Sequence, residues 1–95
     1  MRSLSVRDKI LLVAAGLPRE PFTDARLVVE CWRRWPATFG LSGYHTVHPD
    51  SARVTPRLAT GEVLLKTGLI ERVDEGTYVV TSAGYQRADA LLEDA

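Results

Sequence analysis

Apolar positions recur at helical spacing in four stretches of the chain and form two short β-prone runs between the third and fourth. Val6, Ile10, Val13, Ala14 and Leu17 lie on one helical face and predict a helix over 6–15. Ser5 stands at the N-cap, with Asp8 three residues on in the place of a capping-box glutamate. Gly16 and Pro18 mark the stop, and Pro18 and Pro21 make 17–22 a turn. Thr23 caps a second helix and Asp24 complements its dipole. Its stripe is Val28, Cys31, Trp32 and Trp35, widened by Leu27, while Arg26, Glu30, Arg33 and Arg34 fall outside it. Pro36 closes this helix, because the residue before a proline resists helical geometry.

Residues 37–48 show no period. Phe39, Leu41 and Tyr44 are apolar enough to fold back onto the core, and Gly40 and Gly43 allow tight bends. The segment is long for a helix–helix connection and is expected to be ordered but irregular. A third helical stretch starts at Pro49 or Asp50, with Val54, Leu58 and Leu65 on one face and Val63 and Leu64 beside it. Pro56 removes a helical hydrogen bond, and Gly61 costs about 1 kcal/mol relative to alanine. Either the stretch is two pieces meeting near 60–61, the preferred expectation, or it starts later with Thr55 as cap. Gly68 ends it. Two β-prone runs then flank Asp74-Glu75-Gly76 and predict a hairpin over 69–81. Ser82 or Thr81 caps a last helix over 82–93, with Ala83, Tyr85, Ala88, Leu91 and Leu92 apolar. The expectation is a single α+β, mostly helical domain over 1–95.

Composition narrows the class. At 95 residues, 45% hydrophobic and 25% charged, the chain suits one globular core. No apolar run approaches the roughly 20 residues that span a bilayer, so no membrane association is expected. The apolar run after Arg7, Asp8 and Lys9 is short and lacks a cleavage site, so no signal peptide is read. The one cysteine, Cys31, has no internal partner, which points to a reducing compartment and a cytoplasmic location. Formal charge is zero overall but uneven. Arg33, Arg34, Arg53, Arg57, Lys66 and Arg72 outweigh Asp50, Glu62 and Glu71, giving +3 over 31–72. Asp74, Glu75, Asp89, Glu93 and Asp94 against Arg87 give −4 over 73–95.

The order helix, helix, helix, hairpin, helix is that of a winged helix. The run Leu64-Leu65-Lys66-Thr67-Gly68-Leu69-Ile70-Glu71-Arg72-Val73, followed by Gly76-Thr77-Tyr78-Val79-Val80-Thr81-Ser82-Ala83-Gly84, resembles MarR- and PadR-like bacterial regulators. In those proteins a recognition helix ends at Gly-Leu-Ile/Val, enters the wing and returns through Thr-x-x-Gly into a dimerising helix. The resemblance implies a three-helix core, a short wing and a C-terminal helix. It also implies DNA binding and a homodimer through the last helix. It covers 51–92 well and the first two helices in pattern only. Winged helices also bind proteins, so fold alone does not decide the partner. Three departures weigh against DNA binding rather than against the fold: the long 37–48 link, Pro56 and Gly61 within the third stretch, and Asp74 and Glu75 at the wing tip, where they repel phosphate.

Two sets of residues follow. For double-stranded DNA, Arg53, Arg57 and Thr60 fall at i, i+4 and i+7, clear of the core face, where a recognition helix meets base edges or phosphate. Ser51 at the helix N-terminus and the flanking Lys66 and Arg72 would add phosphate contacts. The alternative for each is a cap or a solvated charge. For a protein partner, Phe39 and Tyr44 are aromatic anchors if exposed and core residues if not. Tyr85, Leu91 and Leu92 face either a second copy or only the first helix. Cys31, His45 and His48 lack metal-ligand spacing, no nucleophile–base arrangement stands out, and Gly61–Thr67 fails as a phosphate-binding loop. No enzyme, metal or cofactor is therefore expected. The readings are a DNA-binding transcriptional regulator and, alternatively, a protein-interaction module without DNA binding.

Overall fold

A computed structural model describes residues 3–94. Helix α1 (Val6–Gly16) begins where the Ser5 hydroxyl accepts the Asp8 amide at 3.1 Å, and it buries Ile10, Leu11 and Ala14. A two-residue strand, β1 (Phe22–Thr23), leads directly into α2 (Asp24–Arg34). Thr23 ends the strand and caps the helix, its hydroxyl accepting the Arg26 amide at 3.1 Å. Leu27, Val28 and Cys31 of α2 are buried, while Trp32 and Trp35 are half-buried beside them. Pro36 does more than close α2. It stands at the start of a further single turn, α3 (Pro36–Phe39), because a proline without an N–H suits a first helical position. The chain therefore bends at Trp35 and drives Phe39 into the core at 0% exposure.

The third helical stretch departs most from the periodic reading. It is two 3₁₀ turns, Ser51–Arg53 and Thr55–Leu58, then a tight turn over 59–62 closed by the Glu62 amide donating to the Ala59 carbonyl at 3.0 Å, then one turn of α-helix, α4 (Val63–Lys66). Asp50 rather than Ser51 is the cap, accepting the Ala52 amide at 3.0 Å. Pro56 opens the second 3₁₀ turn, and Ala59 and Glu62 are extended, with ψ of 149° and 157°. Each break resets the phase. Val54 and Leu58 are buried as the spacing predicts, but Leu64 takes the buried place expected of Leu65, which is only half-buried.

Helix α4 ends in a Schellman motif. Gly68 adopts φ of 74°, its amide donates to the Leu65 carbonyl at 3.1 Å, and the Leu69 amide donates to the Leu64 carbonyl at 3.0 Å. The chain is thereby aimed into β2 (Ile70–Asp74), which pairs antiparallel with β3 (Thr77–Val80), with a register shift between Arg72 and Asp74. Strand β1 pairs with the other edge of β3, giving the order β1-β3-β2. Phe22 and Tyr78 face each other across that pairing, both buried, with ring centroids 6.4 Å apart. The fold is thus α+β, mostly helical, with a small antiparallel sheet.

The last helix, α5 (Ser82–Asp94), packs on α1 and buries Ala88 and Leu91. Thr81 caps it, its hydroxyl accepting the Gly84 amide at 3.0 Å. The same hydroxyl donates to the Gly68 and Leu69 carbonyls, and the Thr81 amide donates to the Leu69 carbonyl at 3.1 Å. One side chain so ties the start of α5 to the segment between α4 and β2.

Candidate interaction surface

The residues expected to meet DNA do not form one stripe, because no continuous helix carries them. Ser51 is exposed in the first 3₁₀ turn. Arg53 is exposed, with Nε 3.8 Å from Asp50 Oδ2. Arg57 is half-buried and its Nη1 donates to the Arg53 carbonyl at 2.9 Å, so part of its donor capacity is used within the turn. Thr60 lies in the turn between Ala59 and Glu62 and shares a shallow cleft with Leu65, Ile70 and Arg72. Arg57 opens instead on a different cleft, with Arg7 and Glu62. Lys66 and Arg72 are exposed on α4 and β2. The hairpin tip presents exposed Asp74 and Glu75.

The expected contact residues also separate. Phe39 and Leu91 are 0% and 1% exposed, so neither reaches a partner without unfolding. Tyr85 is half-buried beneath the Arg19 guanidinium, 3.8 Å from its ring centroid. Leu92 remains exposed at the rim of a cleft between α1 and α2. Tyr44 is 60% exposed.

Tyr44 belongs to a built loop. An antiparallel bridge between Gly40 and Pro49 closes its neck, flanked by Leu41 N–H to His48 O at 2.8 Å and Asp50 N–H to Phe39 O at 2.7 Å. Inside the neck, Tyr44 N–H donates to Leu41 O, and Val47 and His48 N–H both donate to Tyr44 O. The Trp32 indole N–H donates to the His45 carbonyl at 2.7 Å and pins the loop to α2. Gly40 is buried at the neck, where a β-carbon would overlap the His45 backbone and the Pro36 carbonyl. This framework holds Leu41, Tyr44 and Val47 outward. They are three of the six large apolar side chains left exposed among the described residues, so exposed apolar surface concentrates here. The periodic reading named Tyr44 but missed Val47. The available signal was apolar residues every third position between the turn-forming Gly40 and Pro49.

No family model matches this chain, and no curated protein or solved structure is significantly similar to it.

Cys31 is fully buried, while His45 and His48 are exposed. Burial, reinforced by the negative charge of Glu30, pushes the Cys31 thiol up from 9.0 to about 12. A thiol-specific reagent at mildly alkaline pH is therefore expected to leave the folded protein unmodified and to titrate the thiol once denaturant is added. The folded state keeps this proton longer than the unfolded state does. Its contribution to stability is complete below pH 9.0 and is lost as pH rises from there towards about 12. Denaturant titrations of the wild type and Cys31→Ala across that range check the sign: the wild type should lose more stability. No helix among the described residues is long and apolar enough to cross a membrane.

Proposed function

We propose that the chain is a non-enzymatic winged-helix module that docks a protein partner through the 40–49 loop. The strand order β1-β3-β2, with β1 placed between the first two helices, supports the winged-helix reading. The single observation that carries the docking role is the closed neck, which holds three apolar side chains in solvent at a fixed site. A pre-ordered loop loses little conformational freedom on binding, so its apolar contacts translate into affinity. Exposed aromatic and aliphatic side chains on a rigid support have the character of interface anchors. The acidic hairpin tip and the shortened α4 favour this reading over base readout. At 1.5 Å per residue, the four residues of α4 make a helix of roughly 6 Å, about one turn, which leaves few positions to present side chains to base edges.

A photo-reactive phenylalanine analogue at position 44 of the full chain, expressed in its native cells, tests the docking role. An adduct of defined mass is expected, and the same label at exposed Gln86 should give none. Serine at positions 41, 44 and 47 together should abolish capture while lowering the melting temperature by no more than about 12 °C, since surface changes cost roughly 0.5 kcal/mol or less each. No adduct at position 44, or equal adducts at both positions, removes the loop from this role.

A second reading, double-stranded DNA binding by a transcriptional regulator, draws on exposed Ser51, Arg53, Thr60, Lys66 and Arg72. Gel-shift titration against salt checks it. Duplex binding that weakens steeply with salt, with a slope reduced by about one for each arginine replaced, favours DNA. No binding at low salt ends that reading. A homodimer through α5 has Leu92 as its exposed apolar contact, and sedimentation of Leu92→Glu against the wild type decides it.

A further inference from the structure

We infer that the 40–49 loop selects an acidic peptide segment bearing a large apolar anchor, which seats in the cleft between Trp32, Arg33, Pro36 and Thr46. This rests on the docking role proposed above and adds the chemistry of the partner. From Trp32 to Pro49 the chain contains no aspartate or glutamate, and Arg33 lines the cleft itself, while Arg34 lies against Trp35 on a separate cleft. Residues 41–48 are all exposed, so the loop presents Leu41, Tyr44 and Val47 among uncharged polar and histidine side chains, with no carboxylate. The nearest acids along the chain are already engaged. Glu30 pairs with Arg33 at 3.0 Å, and Asp50 lies 3.8 Å from Arg53. Both pairs are at the surface, where such bridges contribute about 0–1 kcal/mol, so a partner carboxylate can take the place of Glu30 on Arg33.

The cleft has a volume of about 310 Å³ and is lined by Trp32, Arg33, Pro36 and Thr46. The indole N–H is already satisfied by the His45 carbonyl, so Trp32 offers an occupant its apolar surface. An aliphatic or aromatic side chain suits such walls, and the planar Arg33 guanidinium beside it suits a neighbouring carboxylate. The Arg33 side chain is 68% exposed and accessible to that group. Lysine-rich partners meet no counter-charge from the loop.

The test follows the Trp32 and Trp35 indole N–H resonances of the full chain during titration with four probes. These are a short peptide alternating glutamate with leucine and phenylalanine, an all-glutamate peptide, the first peptide with lysine for glutamate, and a single-stranded oligonucleotide. The first peptide is expected to shift Trp32 saturably and more than Trp35. The all-glutamate peptide and the oligonucleotide should bind at least about tenfold more weakly, and the lysine peptide should leave Trp32 unmoved. Arg33→Glu should weaken the first peptide about tenfold. Equal binding of the lysine peptide overturns the inference, as does tighter binding of the oligonucleotide or an unmoved Trp32 with the first peptide. If Trp32 stays unmoved while the label at position 44 still captures a partner, only the partner's chemistry falls. If capture also fails, the docking role falls with it.

Discussion

Replacing Gly84 by alanine is expected to lower the stability of the fold by roughly 3 kcal/mol, the cost of forcing extra atoms into a packed site. Helix α5 crosses the start of the hairpin so closely that a β-carbon at position 84 would overlap the Leu69 carbonyl and lie 2.7 Å from Val80 Cγ1. The Leu69 obstacle is backbone, which cannot swing aside as a side chain tip can. The carbonyl in the way also accepts the Thr81 amide and the Thr81 hydroxyl. Backing α5 away therefore breaks the bonds that seat its first turn. For a domain of this size the melting temperature should fall by about 12–24 °C. Gly61→Ala is the matched control. A β-carbon at position 61 would meet nothing within 4 Å, and φ there is not positive, so stability should hold or rise by up to about 1 kcal/mol. Equal melting temperatures for the two variants would mean that α5 does not sit where described.

Phe39→Ala should cost more, about 3–5 kcal/mol, through lost burial and the cavity left behind. The ring is fully buried, its centroid 6.5 Å from that of Trp35, and its own carbonyl accepts the Asp50 amide in the neck of the loop. The loss should therefore reach the surface: tryptophan emission should move to longer wavelength, and amide exchange at Asp50 should quicken. Tyr44→Ala, a few residues away but exposed, should change stability by roughly 0.5 kcal/mol or less. Urea titrations of the two variants give the contrast, and a Phe39→Ala midpoint indistinguishable from wild type would contradict the burial of that ring.

The helix starts at Ser5 and Thr23 were legible because one side chain and one nearby amide make each cap. Gly68 was legible for a similar reason, since only a left-handed residue turns α4 into β2. Strand β1 was not legible. Two residues hold no alternation, and Phe22 becomes a strand residue only through Tyr78, far along the chain. The interruption at Pro56 could be read from its missing N–H. Its outcome as 3₁₀ turns could not, because that depends on Val54 and Leu58 being held in the core. The candidate surface shows the same division. Arg53, Arg57 and Thr60 formed a stripe only while one helical period was assumed, and the separate 3₁₀ turns followed by the turn at 59–62 take that period away. Tyr44 lay within view of composition alone, but its exposure follows from hydrogen bonds that close the neck on both sides of it.

The Gly40–Pro49 bridge holds the two ends of residues 41–48 about 5 Å apart, the spacing of paired strands. The core therefore senses those eight residues mainly as a span to be closed, together with the single tether from Trp32. Apart from Gly43, whose φ of 81° favours glycine, their identity and even their number are free to change as long as the neck still closes. The loop is in this sense an exchangeable cassette. Foreign peptides could be displayed between positions 41 and 48, and related chains could alter their partners there without re-solving how to fold.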